Sequence, residues 1–410
     1  MTYVASTHDA RASDPAIDSV VRRRVGWVWA LLFFNVLTGG PSTTLISIPH
    51  GFEKLLTQAS LWIALVLALS VNRRIVLRRN AFLSLATLLA ALSLTMSLGM
   101  VFGFGSVYRA ARLVGFIAAL WLLTPWWGRR DLFIVRLQLR CLLAVVALSV
   151  VGLALAPHKA LEAGRLQGIV WPMQTTQLAH CAAVAAGIAA VLWLSEAMGW
   201  RLAVAIVVPC TTVLLMTHTR TAMVALLSGL VVAVFELFFR RRRARRTLAV
   251  ISACAVVAVL VLSPALSHWF TRGQSSTSFA QLSGRTVVWS QLLRAPTPTV
   301  QRWLGSGLSN NSFNGAPIDN SWLAAYQDQG IVGDAVIGLM LLSILLGAVM
   351  RPRAPGRALA LFVLTFCVIS SFTEVGLGDA SIYFLDLTAV ATALVPPLAY
   401  RASPKRAAAT

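Results

Sequence analysis

"TAMVALLSGLVVAVFELFFRRRRARR", residues 221–246, decides the fold. From Thr221 to Phe239 it carries one acid, Glu236, and no cation; six arginines then fall within residues 240–246. An α-helix rises 1.5 Å per residue, so a run of about 20 apolar residues crosses the ~30 Å hydrocarbon core of a bilayer. Arginines packed against the end of such a run mark the cytoplasmic side. The same pairing of apolar run and basic cluster recurs along the chain, at "VRRRVG" (21–26), "NRRIVLRR" (72–79), "GRRDLFIVRLQLR" (128–140) and "RPRAPGR" (351–357).

The chain has 410 residues, of which 58% are hydrophobic and 12% charged, more apolar surface than a soluble domain of that size can bury. About twelve apolar runs lie between residues 25 and 400, the ninth at 248–264 and the tenth at 321–349. They predict an all-α, polytopic integral membrane protein, residues 1–410 forming one membrane domain. Started from the inside, this count puts every cluster above on the cytoplasmic side and both termini with them. The expected location is the cytoplasmic membrane, multi-pass, with lipid around it. One large extracytoplasmic loop, 266–320, is expected to carry part of the site. The net charge of +21 belongs to these clusters; no soluble basic face accompanies them, and nucleic acid is not an expected partner. Five scattered cysteines without CxxC spacing, and no Asp/Glu cluster, predict neither disulfide framework nor metal site.

Arginines expected on the translocated side run against the insertion bias and call for a reason. Arg165 lies in the loop "EAGRLQGIVWPMQ". Arg220 lies in "LLMTHTRTAMVALL", where two runs join almost without a loop, which holds its charge near membrane depth at a cost of about 2.5–3.5 kcal/mol unless paired or hydrated. Arg285 lies in "SGRTVVWSQLL", read as a short helix with Ser283 as its cap and Val288 and Leu292 as its apolar edge. Arg109 and Arg112 stand one turn apart at the outer end of the fourth run. Lys54, Lys159, Arg272 and Arg302 read as snorkelling or solvated. Guanidinium forks match phosphate oxygens bidentately and do not titrate away, so such a set predicts binding of a lipid diphosphate at headgroup depth.

Four stretches, "GRLQGIVWPMQTTQLAH", "LLMTHTRTAMVALL", "LSGRTVVWSQLL" with "WLGSGLSNN", and "DNSWLAAYQDQGIVG", occur in this order between Gly164 and Gly333. Together they resemble the O-antigen ligase and polysaccharide polymerase superfamily, which includes exopolysaccharide polymerases. The resemblance implies a metal-independent membrane glycosyltransferase without a cofactor. It would act on polyprenyl-diphosphate-linked oligosaccharides at the outer face, alongside other polysaccharide-assembly proteins. Arg165, Arg220 and Arg285 would then bind the donor. The ligase branch carries a His before an Asn, Ser or Gln, then nine residues and Gly-x-x-Gly. Here Asn320, Gly330 and Gly333 keep the spacing, but Asp319 stands at the His position, which favours polymerisation over ligation.

Asp319, with Arg220 and Arg285, is the catalytic candidate: its carboxylate suits orienting or deprotonating an acceptor hydroxyl. Asn320, His218 and Arg112 join Arg165 as candidate substrate-binding residues. The alternative for Asp319-Asn320-Ser321 is a helix cap, and Gly330 and Gly333 read as close-packing positions. His50, His158, His180 and His268 show no paired partner in the sequence. The rival class is a transporter or flippase, which would place charges near the midplane on broken helices in two matched halves. Matched halves are not visible; Asp386 lies inside the last run.

Overall fold

The structure is a computed structural model that describes residues 19–37, 44–45, 49–99, 103–129, 131–238, 243, 245, 285–309, 311–352 and 354–396. The ninth run, Ser283 and the first part of the expected loop lie outside these residues.

The chain is mostly helical. In order come α1 (Ser19–Asn35), α2 (His50–Val71), α3 (Ala81–Gly99), α4 (Phe104–Leu122) and α5 (Phe133–Leu155). A single turn, α6 (Pro157–Ala160), precedes α7 (Thr175–Leu194), α8 (Trp200–Thr217) and α9 (Arg220–Phe238). Two short helices, α10 (Arg285–Arg294) and α11 (Thr299–Leu304), are followed by α12 (Ser321–Val349), α13 (Pro355–Ser371) and α14 (Ile382–Leu394). The expected runs that fall within the described residues lie on helices. Among the described residues seven helices, α2, α3, α5, α7, α8, α9 and α12, are long and apolar enough to cross a membrane. α13 and α14 are apolar but shorter, α1 opens on Arg22–Arg24, and α4 carries Arg109 and Arg112.

Small residues set the packing. In "LAHCAAVAAGIAAVLW" of α7 nearly every side chain is buried, because Ala and Gly let neighbouring backbones approach. Gly187 of α7 and Gly229 of α9 close on the ring of Phe362 in α13; a Cβ at Gly187 would lie 1.8 Å from it. Large apolar side chains such as Val66, Val231 and Phe235 point outward instead, as a lipid-facing surface requires.

The two ends of the bundle differ in charge. At one end the basic clusters tie the helices together: Arg22 pairs with Asp131 at 2.7 Å and Arg357 with Glu236 at 3.0 Å. Arg78 donates to the carbonyls of Trp127 (2.7 Å) and Pro396 (3.0 Å). The opposite end carries the motif-bearing loops.

There α12 is broken. Gly330 sits at φ 67°, ψ −168°, and the carbonyls of Gln327 and Asp328 before it accept from Ser306 N (2.9 Å) and Gly307 N (3.0 Å). The "GSG" turn thus fills the break and satisfies the freed backbone groups, which an apolar surrounding demands. A Cβ on Gly330 would meet Trp303 backbone at 2.4 Å, so only glycine fits this docking. The expected close-packing role of Gly330 takes this form, with the end of α11 and the turn after it docked on α12.

Candidate active site

Each part of the site is held by local structure. A hairpin of β1 (Leu161–Glu162) and β2 (Arg165–Leu166) turns through Ala163 and Gly164, both left-handed, and presents Arg165 beside α8. Arg165 Nε donates to the carbonyl of Thr217 at 3.1 Å. That carbonyl ends α8; His218, left-handed at φ 51°, and Thr219 make the whole connection to α9, which Arg220 opens. Thr373 Oγ1 donates to Thr221 Oγ1 at 2.9 Å, so the residue after Arg220 touches the residue before Glu374.

The segment 285–320 folds onto the start of α12. Leu292, the expected apolar edge of α10, is buried with Ile318 and Ala324, and Trp289 Nε1 donates to the carbonyl of Ile318 at 2.6 Å. β3 (Ser312–Phe313) and β4 (Ala316–Pro317) form a hairpin through Asn314-Gly315, both at positive φ, a two-residue turn typical of that dipeptide. The result sets Arg285 Nε 3.1 Å from Asp319 Oδ2.

The capping alternative resolves onto one residue. Asn320 Oδ1 accepts from Trp322 N (3.0 Å) and Leu323 N (3.1 Å), and its Nδ2 donates to the carbonyl of Phe372 (3.1 Å). Asp319, at φ 44°, lies outside the helix and turns its carboxylate to Arg285. Asn320, expected to bind substrate, has both ends of its amide engaged with the protein.

The loop between α13 and α14 is pinned to the same helix start. Ser321 Oγ donates to the carbonyl of Glu374 (2.7 Å), Trp322 Nε1 to Ser371 Oγ (3.0 Å), and Gln329 Nε2 to the carbonyl of Gly378 (2.7 Å). Glu374 is thereby brought among Arg285, Asp319 and Arg165, with the Thr176 hydroxyl in hydrogen-bonding reach. Burial and the nearby Asp319 push its carboxyl up to about 7, against the pull of Arg285 and Arg165. Burial also lowers Arg165; Glu374 opposes that and Arg285 adds to it.

A cavity of about 670 Å³ opens beside this group, within the ~300–1,000 Å³ of small-molecule sites. Glu374 and Asp319 stand in its wall. So does Arg112, whose guanidinium is held by Asn35 Oδ1 and the Asn35 carbonyl, each at 3.1 Å. Lys54 and Arg109 line it too, the latter donating to the carbonyl of Ser309. Against these cations stand Glu53, Asp379 and the carboxamides of Gln58, Gln174 and Gln177. A wall of mixed charge and amide is suited to hydroxyl-rich, neutral ligands. Arg165, Arg220, Arg285, Asn320 and His218 are not part of that wall. Three regions result: a cavity, Arg165 and Arg285 beside it, and two carboxylates at their boundary; Arg220 is tied to this group through the backbone of the α8–α9 join.

His180 corrects the sequence reading. It lines the cavity and has a partner: its Nε2 lies 2.6 Å from Asp386 Oδ2, both side chains buried. Gln138 Nε2 donates to the other Asp386 oxygen (2.7 Å) and Trp29 Nε1 to Gln138 Oε1 (2.9 Å). The pair is 206 positions apart in sequence, so no local spacing announces it. Glu374 escaped in the same way: it and Asp379 stand in "SFTEVGLGDAS", between the last two apolar runs, and no local spacing singles either out. Among the described residues no group of His, Cys, Asp and Glu has the arrangement of a metal site.

No protein-family model matches the chain, and no curated protein matches it either. Among solved structures it is similar to a chain described as "Structural coordination of polymerization and crosslinking by a peptidoglycan synthase complex". The TM-score is 0.45 at 17% identity, over 76% of this chain and 95% of that one. A likeness that distant bears on neither the fold nor the chemistry.

Proposed function

We propose that this protein is a membrane glycosyltransferase that extends a glycan from polyprenyl-diphosphate-linked units at the outer face of the cytoplasmic membrane. The observation that carries the reading is the division of the site: arginines on one side, a mixed-charge, amide-lined cavity on the other, and carboxylates between them. A glycosyl diphosphate has the same division. Its diphosphate would lie against Arg165, Arg220 and Arg285, and its sugar in the cavity. The scissile bond would then fall at the boundary where Asp319 and Glu374 stand. The arginines stabilise charge developing on the leaving diphosphate. Asp319 orients the acceptor hydroxyl by accepting its hydrogen bond. Arg112 and Lys54 bind acceptor groups from the far wall. The four motifs in order support the same reading, and Asp319 in place of the ligase histidine supports polymerisation, with ligation to a lipid or protein acceptor as the alternative.

Two features belong to the transporter reading, the broken helix α12 and the buried His180–Asp386 pair. The break weighs against it, because the carbonyls of Gln327 and Asp328 are taken by the backbone of Ser306 and Gly307. The test gives purified protein in vesicles only the lipid-linked repeat unit extracted from the producing cells. A ladder of lengthened chains is the expected result. Single transfer only after a separate acceptor is added would establish ligation; counterflow of intact substrate without bond formation would establish transport.

A further inference from the structure

We propose that Glu374 is the group that receives the proton of the acceptor hydroxyl, and that Asp319, tied to Arg285, orients that hydroxyl without taking its proton. The inference rests on the glycosyltransferase reading above and adds the proton's destination.

Two carboxylates stand at the boundary between the arginines and the cavity, and their surroundings divide the work. Asp319 has a guanidinium 3.1 Å from one oxygen and is about one-third exposed at its side chain. That guanidinium fixes where the Asp319 carboxylate sits. Glu374 is held differently. Its backbone carbonyl is fixed by Ser321 Oγ, its carboxyl is met by the Thr176 hydroxyl, and it stands in the cavity wall. The groups facing it are Arg165 from the β1–β2 hairpin, Arg285 from α10, Asp319 before α12 and Tyr383 from α14. A carboxyl raised to about 7 is half ionised near neutral pH and accepts a proton far more readily than an ordinary one.

The step balances. The acceptor oxygen forms its bond to the anomeric carbon as the bond from that carbon to the diphosphate oxygen breaks, the electron pair leaving on the lipid diphosphate. The hydroxyl proton passes to Glu374, which returns it to solvent or to the released diphosphate.

The experiment uses full-length protein in membranes of the producing cells, which hold the native lipid-linked unit, with the native gene replaced by each variant. Chain extension is followed against pH, and affinity for farnesyl diphosphate is measured on purified protein as the diphosphate probe. Wild type should show a rate that rises through about pH 7. Glu374→Gln should extend chains about 100-fold more slowly, lose that rise, and bind farnesyl diphosphate like wild type. Extension within threefold of wild type, or an unchanged pH profile, would overturn the assignment. So would loss of farnesyl diphosphate binding together with activity, which would make Glu374 a structural residue. Arg285→Ala separates the two levels: slow extension there with normal extension in Glu374→Gln refutes only the role of Glu374. Normal extension in both refutes the diphosphate reading itself.

Discussion

Asn320 caps α12 and Asp319 does not: adjacent in sequence, one gives its side chain to the backbone of Trp322 and Leu323, the other to Arg285. Capping and ion pairing therefore fall on separate, neighbouring positions. Asp319→Asn keeps a residue that tolerates the left-handed backbone and leaves the cap intact. It removes one partly exposed ion pair, worth at most about 1 kcal/mol. Melting in detergent should barely move while chain extension falls about tenfold or more. Asn320→Ala should do the reverse at first, losing about 1 kcal/mol of stability with the cap. A large melting shift in Asp319→Asn would contradict this division.

Arg220 tests whether geometry or charge matters. Lys keeps the charge at the α8–α9 join but not the planar fork that meets two phosphate oxygens at once. Arg220→Lys should thus be impaired nearly as much as Arg220→Ala, each by about tenfold or more, or about 1.4 kcal/mol of transition-state stabilisation. A Lys variant with full polymer output at normal expression would show that a point charge suffices.

How far the sequence alone carries depends on how far apart the partners are. Helices were legible because an apolar run against an arginine cluster is a local signal, as at residues 221–246. So were the local settings of Arg165, Arg220 and Arg285, each of which lies beside a turn or at a helix start. What the cavity adds was not legible. Glu374 acquires its setting from Ser321 and Thr176, which belong to other helices, and His180 acquires Asp386 only when α7 packs against α14. The break in α12 was hidden differently: "QDQG" reads as helix with a packing glycine, and only the docked "GSG" turn stabilises the interruption.

The His180–Asp386 pair gives a stability prediction. Asp386 accepts from His180 and Gln138 deep in the bundle, at 2.6 and 2.7 Å. Removing a buried group that is hydrogen-bonded to others leaves those partners unsatisfied, at a cost of about 1–3 kcal/mol for each. Asp386→Ala and Gln138→Leu should each lower the melting temperature, and the double variant should lower it by less than the sum of the two. Additive shifts would mean that the network is not coupled.

Topology is the remaining condition on the mechanism, and the charge at the two bundle ends makes it testable. Arg78, Arg22 and Arg357 bind carbonyls and acids at one end, while Arg165, Arg285 and the cavity lie at the other. Basic clusters stay on the cytoplasmic side during insertion. Reporters fused after Arg246 or Arg357 should therefore read cytoplasmic, and one fused after Ser309 extracytoplasmic. Ser309 is the discriminating position, because its carbonyl binds Arg109 in the cavity wall and its segment carries Arg285 and Asp319. A polyprenyl-diphosphate-linked unit waiting at the outer face meets the site only if that segment is outside. A cytoplasmic reading at Ser309 would put the arginines and both boundary carboxylates on the wrong side of the membrane and end the proposed transfer.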